Sequence, residues 1–119
     1  MPNDCWNNIT LVADKEDLDK FVTDECKEVP EWAYKVEEKG VEGIVFHLWS
    51  PWKPNFEWLE GLLTKYPSIW VKNEWREEGG SAGVWVGTIR AGKKDIKRLE
   101  WEDLCIEELH MRFRKGKDA

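Results

Sequence analysis

The first apolar block, Cys5 to Val12 (CWNNITLV), alternates before it becomes continuous. Ile9 and Leu11 share one face, and the block predicts a strand. Asp14 then offers an acceptor for the orphan amides of a helix, with acids in the first turn to match its dipole. Leu18, Phe21 and Val22 recur at helical spacing, so the helix runs to near Cys26 and Pro30 closes it off. Glu31 to Val36 and Gly43 to Trp49 (GIVFHLW) predict a hairpin turning at Glu37-Glu38-Lys39-Gly40. In its second strand Ile44, Phe46 and Leu48 face one way, and Val45, His47 and Trp49 the other.

Trp49-Ser50-Pro51-Trp52-Lys53-Pro54 is a rigid connector, because each proline fixes its own backbone and restrains the residue before it. Asn55 caps a second helix with Phe56, Leu59, Leu63 and Tyr66 on one face, and Pro67 ends it. Ile69 to Trp75 and Ala82 to Arg90 predict two strands joined by Arg76 to Ser81, where the double glycine supplies positive-φ positions. Ala91 to Lys94 predicts another turn, and Ile96 to Trp101 a final strand. Leu104 to Phe113 fits a helix through Cys105, Leu109 and Phe113, while Leu109, Met111 and Phe113 also alternate as a strand does.

Strands joined by helices and hairpins in this order predict an α+β, ferredoxin-like two-layer sandwich. Its sheet is mostly antiparallel, with the helices on one face and a C-terminal extension. The 119 residues suffice for one domain, 1–119, with 93–119 as the extension.

Charge and composition change the picture in two ways. Residues 13–42 hold eleven acids against five lysines, which equals the net charge of -6 of the whole chain. A protein that gains affinity by neutralising phosphates needs a basic face, so nucleic-acid binding is disfavoured. The acids read as a solvated helix face or as a docking surface for a basic partner. No apolar run approaches the roughly 18 residues of a membrane span, and the N-terminus has no basic-then-apolar leader. Cys5, Cys26 and Cys105 are odd in number and far apart, which fits reduced thiols and a cytoplasmic location.

Candidate chemistry is sparse. Gly79-Gly80-Ser81-Ala82-Gly83 lacks the lysine of a phosphate-binding loop, and no dinucleotide, nucleophile-elbow or H-E-x-x-H motif occurs. His47 lies mid-strand, and the adjacent Glu77 and Glu78 point apart. The sequence names no catalytic residue, no cofactor and no metal ligand, and so points away from an enzyme.

The nine tryptophans are too many for a core of this size. Alternation puts Trp70 and Trp75 on opposite faces and Trp49 opposite the Ile44 set. Some must cover the second sheet face or line a groove. Oligomer packing, cover by the C-terminal tail and a recognition surface all fit. An aromatic sheet face also fits stacking of single-stranded RNA, although the charge is wrong for it. The Trp49 to Trp52 turn and the Glu77 to Gly83 loop are expected to shape one groove with Trp85. The candidate binding residues are Trp49, Trp52, Trp70, Trp75, Glu77, Gly79, Gly80, Gly83 and Trp85.

Three stretches carry a family resemblance. Met1-Pro2-Asn3 with Cys5 and Asn8, then Phe46 through Trp49-Ser50-Pro51 to Tyr66-Pro67, then Glu77 to Gly79 leading into Ala82-Gly83-Val84-Trp85, together resemble the YubB-like ferredoxin-like domain family. Asp4 stands where that family usually has tryptophan, Glu78 where it has proline, and Ser81 where an aromatic residue is common. The resemblance implies the fold and an origin in phages or conjugative plasmids, and it brings no catalytic residues. The function expected is that of a small non-catalytic accessory protein that binds a host protein in the host cytoplasm, with a homo-oligomer also compatible. The alternative is a binder of a nucleotide-like small molecule or a minor enzyme.

Overall fold

The computed structural model describes residues 3–25 and 33–101. Its elements in chain order are β1 (Asp4–Val12), α1 (Lys15–Glu25), β2 (Tyr34–Lys39), β3 (Gly43–Pro51), α2 (Phe56–Lys65), β4 (Trp70–Glu77), β5 (Ala82–Arg90) and β6 (Lys93–Trp101). They form one sheet in the order β2-β3-β1-β4-β5-β6, antiparallel at each junction. Through β4 this is the β-α-β-β-α-β plan of a ferredoxin-like sandwich, and β5 and β6 widen the sheet beyond β4.

Burial follows the period of two that a one-sided sheet demands. Ile9, Leu11, Ile44, Phe46, Val71 and Trp85 face the helices and join Leu18, Phe21, Leu59, Leu62 and Leu63 in the core. Phe21 of α1 packs on Phe46 of β3, with ring centroids 5.8 Å apart, and edge-on to Tyr66 at 6.0 Å. The helix-facing side carries polar side chains at its centre as well. Asn7 and Asn73 are 3% and 1% exposed, so their bonding must be internal.

Local chemistry explains the element ends. Asn55 Oδ1 accepts from the Trp58 N–H at 3.1 Å and caps α2. Asp17, in the first turn of α1, accepts from both the backbone N–H and the hydroxyl of Ser68, tying that helix to the start of β4. Ala91 (φ 50) and Gly92 (φ 76) make a two-residue hairpin turn with both residues left-handed, the form whose twist matches the flanking strands.

Several boundaries differ from the pattern-based expectation. Glu37, Glu38 and Lys39 belong to β2 rather than to a turn, and a bulge between Val36 and Glu38 absorbs the register shift. Lys93 and Lys94 begin β6 rather than ending a turn, pairing with Arg90 and Ile89. Only Gly80 of the double glycine has positive φ, at 107°. At Gly79 a Cβ would lie 2.8 Å from the Glu77 carboxylate, the end of a flexible side chain that can move aside. Cys26, Trp32, Cys105 and the 104–113 segment lie outside the described residues.

Candidate functional site

The C-terminal end of β3 runs into a backbone irregularity. Trp52 has φ 66, in the left-handed region where a bulky side chain is a genuine outlier. The Lys53 N–H donates to the Pro51 carbonyl at 2.8 Å, which closes a three-residue γ-turn in its rarer, strained positive-φ form. Neighbouring bonds hold the strain in place. The Trp52 N–H donates to the Asn3 carbonyl at 2.8 Å, and the Ser50 hydroxyl to the Lys53 carbonyl at 3.0 Å. Ser50 is itself anchored from below, where Asn7 Nδ2 donates to its Oγ at 2.8 Å and Asn73 Nδ2 donates to Asn7 Oδ1 at 2.9 Å. A buried polar ladder thus crosses β4, β1 and β3 and ends under the turn.

Beside this turn lies a cavity of about 550 Å³ between the end of α1, the start of α2 and the β2–β3 edge of the sheet. Its aromatic lining comes from Phe21, Tyr34, Phe46, Trp52 and Trp58, and Trp52 stands at the rim with 58% of its surface exposed. The volume lies within the range of sites that bury a small ligand or a partner's side chain.

Among the described residues one carboxylate reaches this space. Glu25, the last residue of α1, is only 12% exposed in its side chain. Its Oε1 accepts from Lys65 Nζ at 3.0 Å and from the Tyr66 hydroxyl at 3.4 Å. Its Oε2 accepts from Trp58 Nε1 at 3.4 Å, a long bond. Burial, followed by the charges of Glu25 and Asp24, pushes the Tyr66 phenol up to about 12.

The expected binding residues fall into separate places. Trp49 and Trp52 line the cavity, and Trp49 Nε1 also donates to Asp4 Oδ1 at 2.8 Å. Trp70 lies half-buried on the open face of the sheet. Trp75 and Trp85 are buried on the helix-facing side, so Trp85 does not join the two loops in a groove. Glycines make room for both rings, since a Cβ at Gly83 would meet the Trp75 ring at 2.8 Å and one at Gly87 the Trp85 ring at 2.5 Å. Glu77 serves its own loop, and Glu78 ties that loop to the start of β1. Glu77 Oε1 accepts from the Gly79 N–H at 2.9 Å, and Glu78 Oε1 from the Asp4 N–H at 3.0 Å. The Glu77 to Gly83 loop and the Trp49 to Trp52 turn therefore flank Asn3 and Asp4 from opposite sides.

Two other reactive groups, Cys5 and His47, lie away from the cavity's carboxylate. The Cys5 thiol is fully buried, and burial pushes it up to about 11, against a hydrogen bond with Ser50 and with the Glu77 charge adding to the rise. It stays protonated and non-nucleophilic at neutral pH. His47 Nε2 pairs with Glu37 Oε2 at 2.9 Å on the exposed sheet face. Among the described residues no group of three or more His, Cys, Asp or Glu side chains is placed to hold a metal ion. Among them also no helix is long and apolar enough to cross a membrane.

Sequence reasoning did not single out Glu25, Phe21, Tyr34 or Trp58 as site residues. One signal was present: α1 ends in Asp24-Glu25 with no basic residue in its last turn, against the dipole preference. No family model matches the chain, and neither a curated protein nor a solved structure is significantly similar to it.

Proposed function

We propose that this chain is a non-catalytic binding protein whose site is the aromatic cavity beside the Trp49–Asn55 turn. Its ligand is a side chain of a partner protein. The carrying observation is Trp52: an exposed indole, held in a strained left-handed backbone by a buried polar ladder, at the rim of an aromatic cavity. Strain of this kind persists only where the surroundings over-determine it, and it concentrates at ligand clamps. Aromatic residues set in a desolvated pocket are the usual anchors of protein contacts. With the YubB-like resemblance, the reading extends to a phage or plasmid accessory protein acting on a host protein in the host cytoplasm.

The test is affinity capture from a bacterial lysate with the full chain, beside Trp52→Ala and Trp58→Ala variants verified as folded by circular dichroism. A protein retained by the parent chain and lost by both variants supports the reading. Equal retention by all three sinks it.

A further inference from the structure

We infer that the cavity is built for an organic cation, and specifically for an arginine side chain of the partner, its guanidinium at Glu25 and its stem against the indoles. This deepens the binding reading above and rests on it. Three observations converge. The walls are aromatic, lined by Phe21, Tyr34, Phe46, Trp52 and Trp58, and a guanidinium stacks on aromatic faces better than an ammonium does.

Glu25, the one carboxylate lining the cavity among the described residues, has spare capacity. Oε1 takes two donors, while Oε2 has only the long bond from Trp58, and a carboxylate offers about four lone-pair sites. The negative end of the α1 dipole points the same way, since its last turn holds Asp24 and Glu25 and no basic residue. Among the described residues the cations nearby are Lys65, 62% exposed in its side chain, and the exposed Lys53 at the rim. Water screens both, and both can swing away. An anion would meet the Glu25 charge instead.

The experiment follows the indole N–H resonances of Trp58 and Trp52 in the full chain at low salt. The probes are N-acetyl-arginine methylamide, its neutral isostere N-acetyl-citrulline methylamide, tetramethylammonium and N-acetyl-phenylalanine methylamide. Saturable shifts with the arginine probe, about tenfold tighter than with citrulline, are expected, the size of one charge-assisted hydrogen bond. Glu25→Gln should erase that difference. Lys65→Met, on an exposed residue that leaves folding intact, should tighten the arginine probe several-fold by removing the competing cation.

Equal affinity for arginine and citrulline, or no tightening in Lys65→Met, overturns the cation inference. Preference for the phenylalanine probe also overturns it while leaving the binding site standing. Tighter binding of tetramethylammonium than of the arginine probe transfers the site to free cations and overturns the side-chain assignment. No saturable shift with any probe overturns both readings.

Discussion

Asn73 Nδ2 donates to Asn7 Oδ1 at 2.9 Å across β4 and β1, in the middle of the helix-facing side of the sheet. Asn7 passes the connection on, its own Nδ2 donating to the Leu48 carbonyl at 2.9 Å and to Ser50 Oγ at 2.8 Å. An apolar core would have no use for two asparagines there. Their product is the position of Ser50, and through it the turn that carries Trp52.

Removing the middle of that ladder should be costly. Asn7→Ala leaves the Asn73 amide without its acceptor and Ser50 without its donor, in surroundings too buried for easy solvation. A loss of about 1–3 kcal/mol is expected from urea denaturation, the range for a buried polar group left unpaired. The Trp52 indole resonance should shift as well, because the turn loses its floor. A loss under about 1 kcal/mol would mean that the ladder is incidental.

Among the described residues two non-glycines have positive φ, and they should respond differently. Ala91 (φ 50) sits in a tight hairpin turn, so Ala91→Asn should raise stability by about 0.5–1 kcal/mol and leave partner capture unchanged. Trp52→Gly relieves a similar backbone strain, and its stability should rise by up to about 1 kcal/mol while capture is lost. Thermal unfolding and capture on both variants check the pair. If Trp52→Gly binds as well as the parent, its strain has no part in recognition.

Most of the fold was legible because the central strands bury one face. β1, β3 and β5 show alternation for that reason, and Asn55 and the prolines mark the ends of the segment through α2. The outer strands were less legible. β2 is mostly exposed and β6 is rich in charge, so main-chain pairing holds them and no hydrophobic period announces where they start.

The surplus of tryptophans was half legible. Gly83 makes room for the Trp75 ring, and Gly87, where a Cβ would lie 2.5 Å from the Trp85 ring, makes room for Trp85. Glycine two residues either side of Trp85 on the same strand face was the visible sign that these indoles are core. The cavity was not legible. It depends on Glu25 meeting Trp58 at a separation of 33 residues and on a left-handed Trp52, neither of which leaves a periodic trace.

Alkaline pH should weaken the fold through two groups. Cys5 is raised from 9.0 to about 11, chiefly by burial, and Tyr66 from 10.0 to about 12, by burial and then by Glu25 and Asp24. Each folded-state value lies above the unfolded one, so the native state holds its proton more tightly. The associated stability is complete below pH 9 and drains away as pH rises through 9 to 12. Each group accounts for about 2–3 kcal/mol over its own two-unit window. Tyr66→Phe should flatten the fall between pH 10 and 12 and leave the Cys5 part between 9 and 11. Urea midpoints that stay level from pH 8 to 11 would contradict the assignment.

The acids of α1 should act on the rate of encounter rather than on the strength of the complex. The helix carries Glu16, Asp17, Asp19, Asp24 and Glu25 against Lys15 and Lys20. Asp17 is committed to Ser68, and Glu25 to the cavity, so reversing either would confuse steering with structure. Glu16 and Asp19 are exposed, and Asp19 has only a solvent-screened pair with Lys15 at 3.4 Å. With the partner recovered by capture, Glu16→Lys with Asp19→Lys should slow association and flatten its dependence on salt, leaving dissociation nearly unchanged. Trp52→Ala should do the reverse, speeding dissociation at a cost of about 2 kcal/mol or more. Trp6→Ser, on the open face of the sheet and 51% exposed, should alter neither rate. Kinetics at two salt concentrations separate the cases. If Trp6→Ser speeds dissociation and Trp52→Ala does not, the contact lies on the open sheet face and the cavity is not the site.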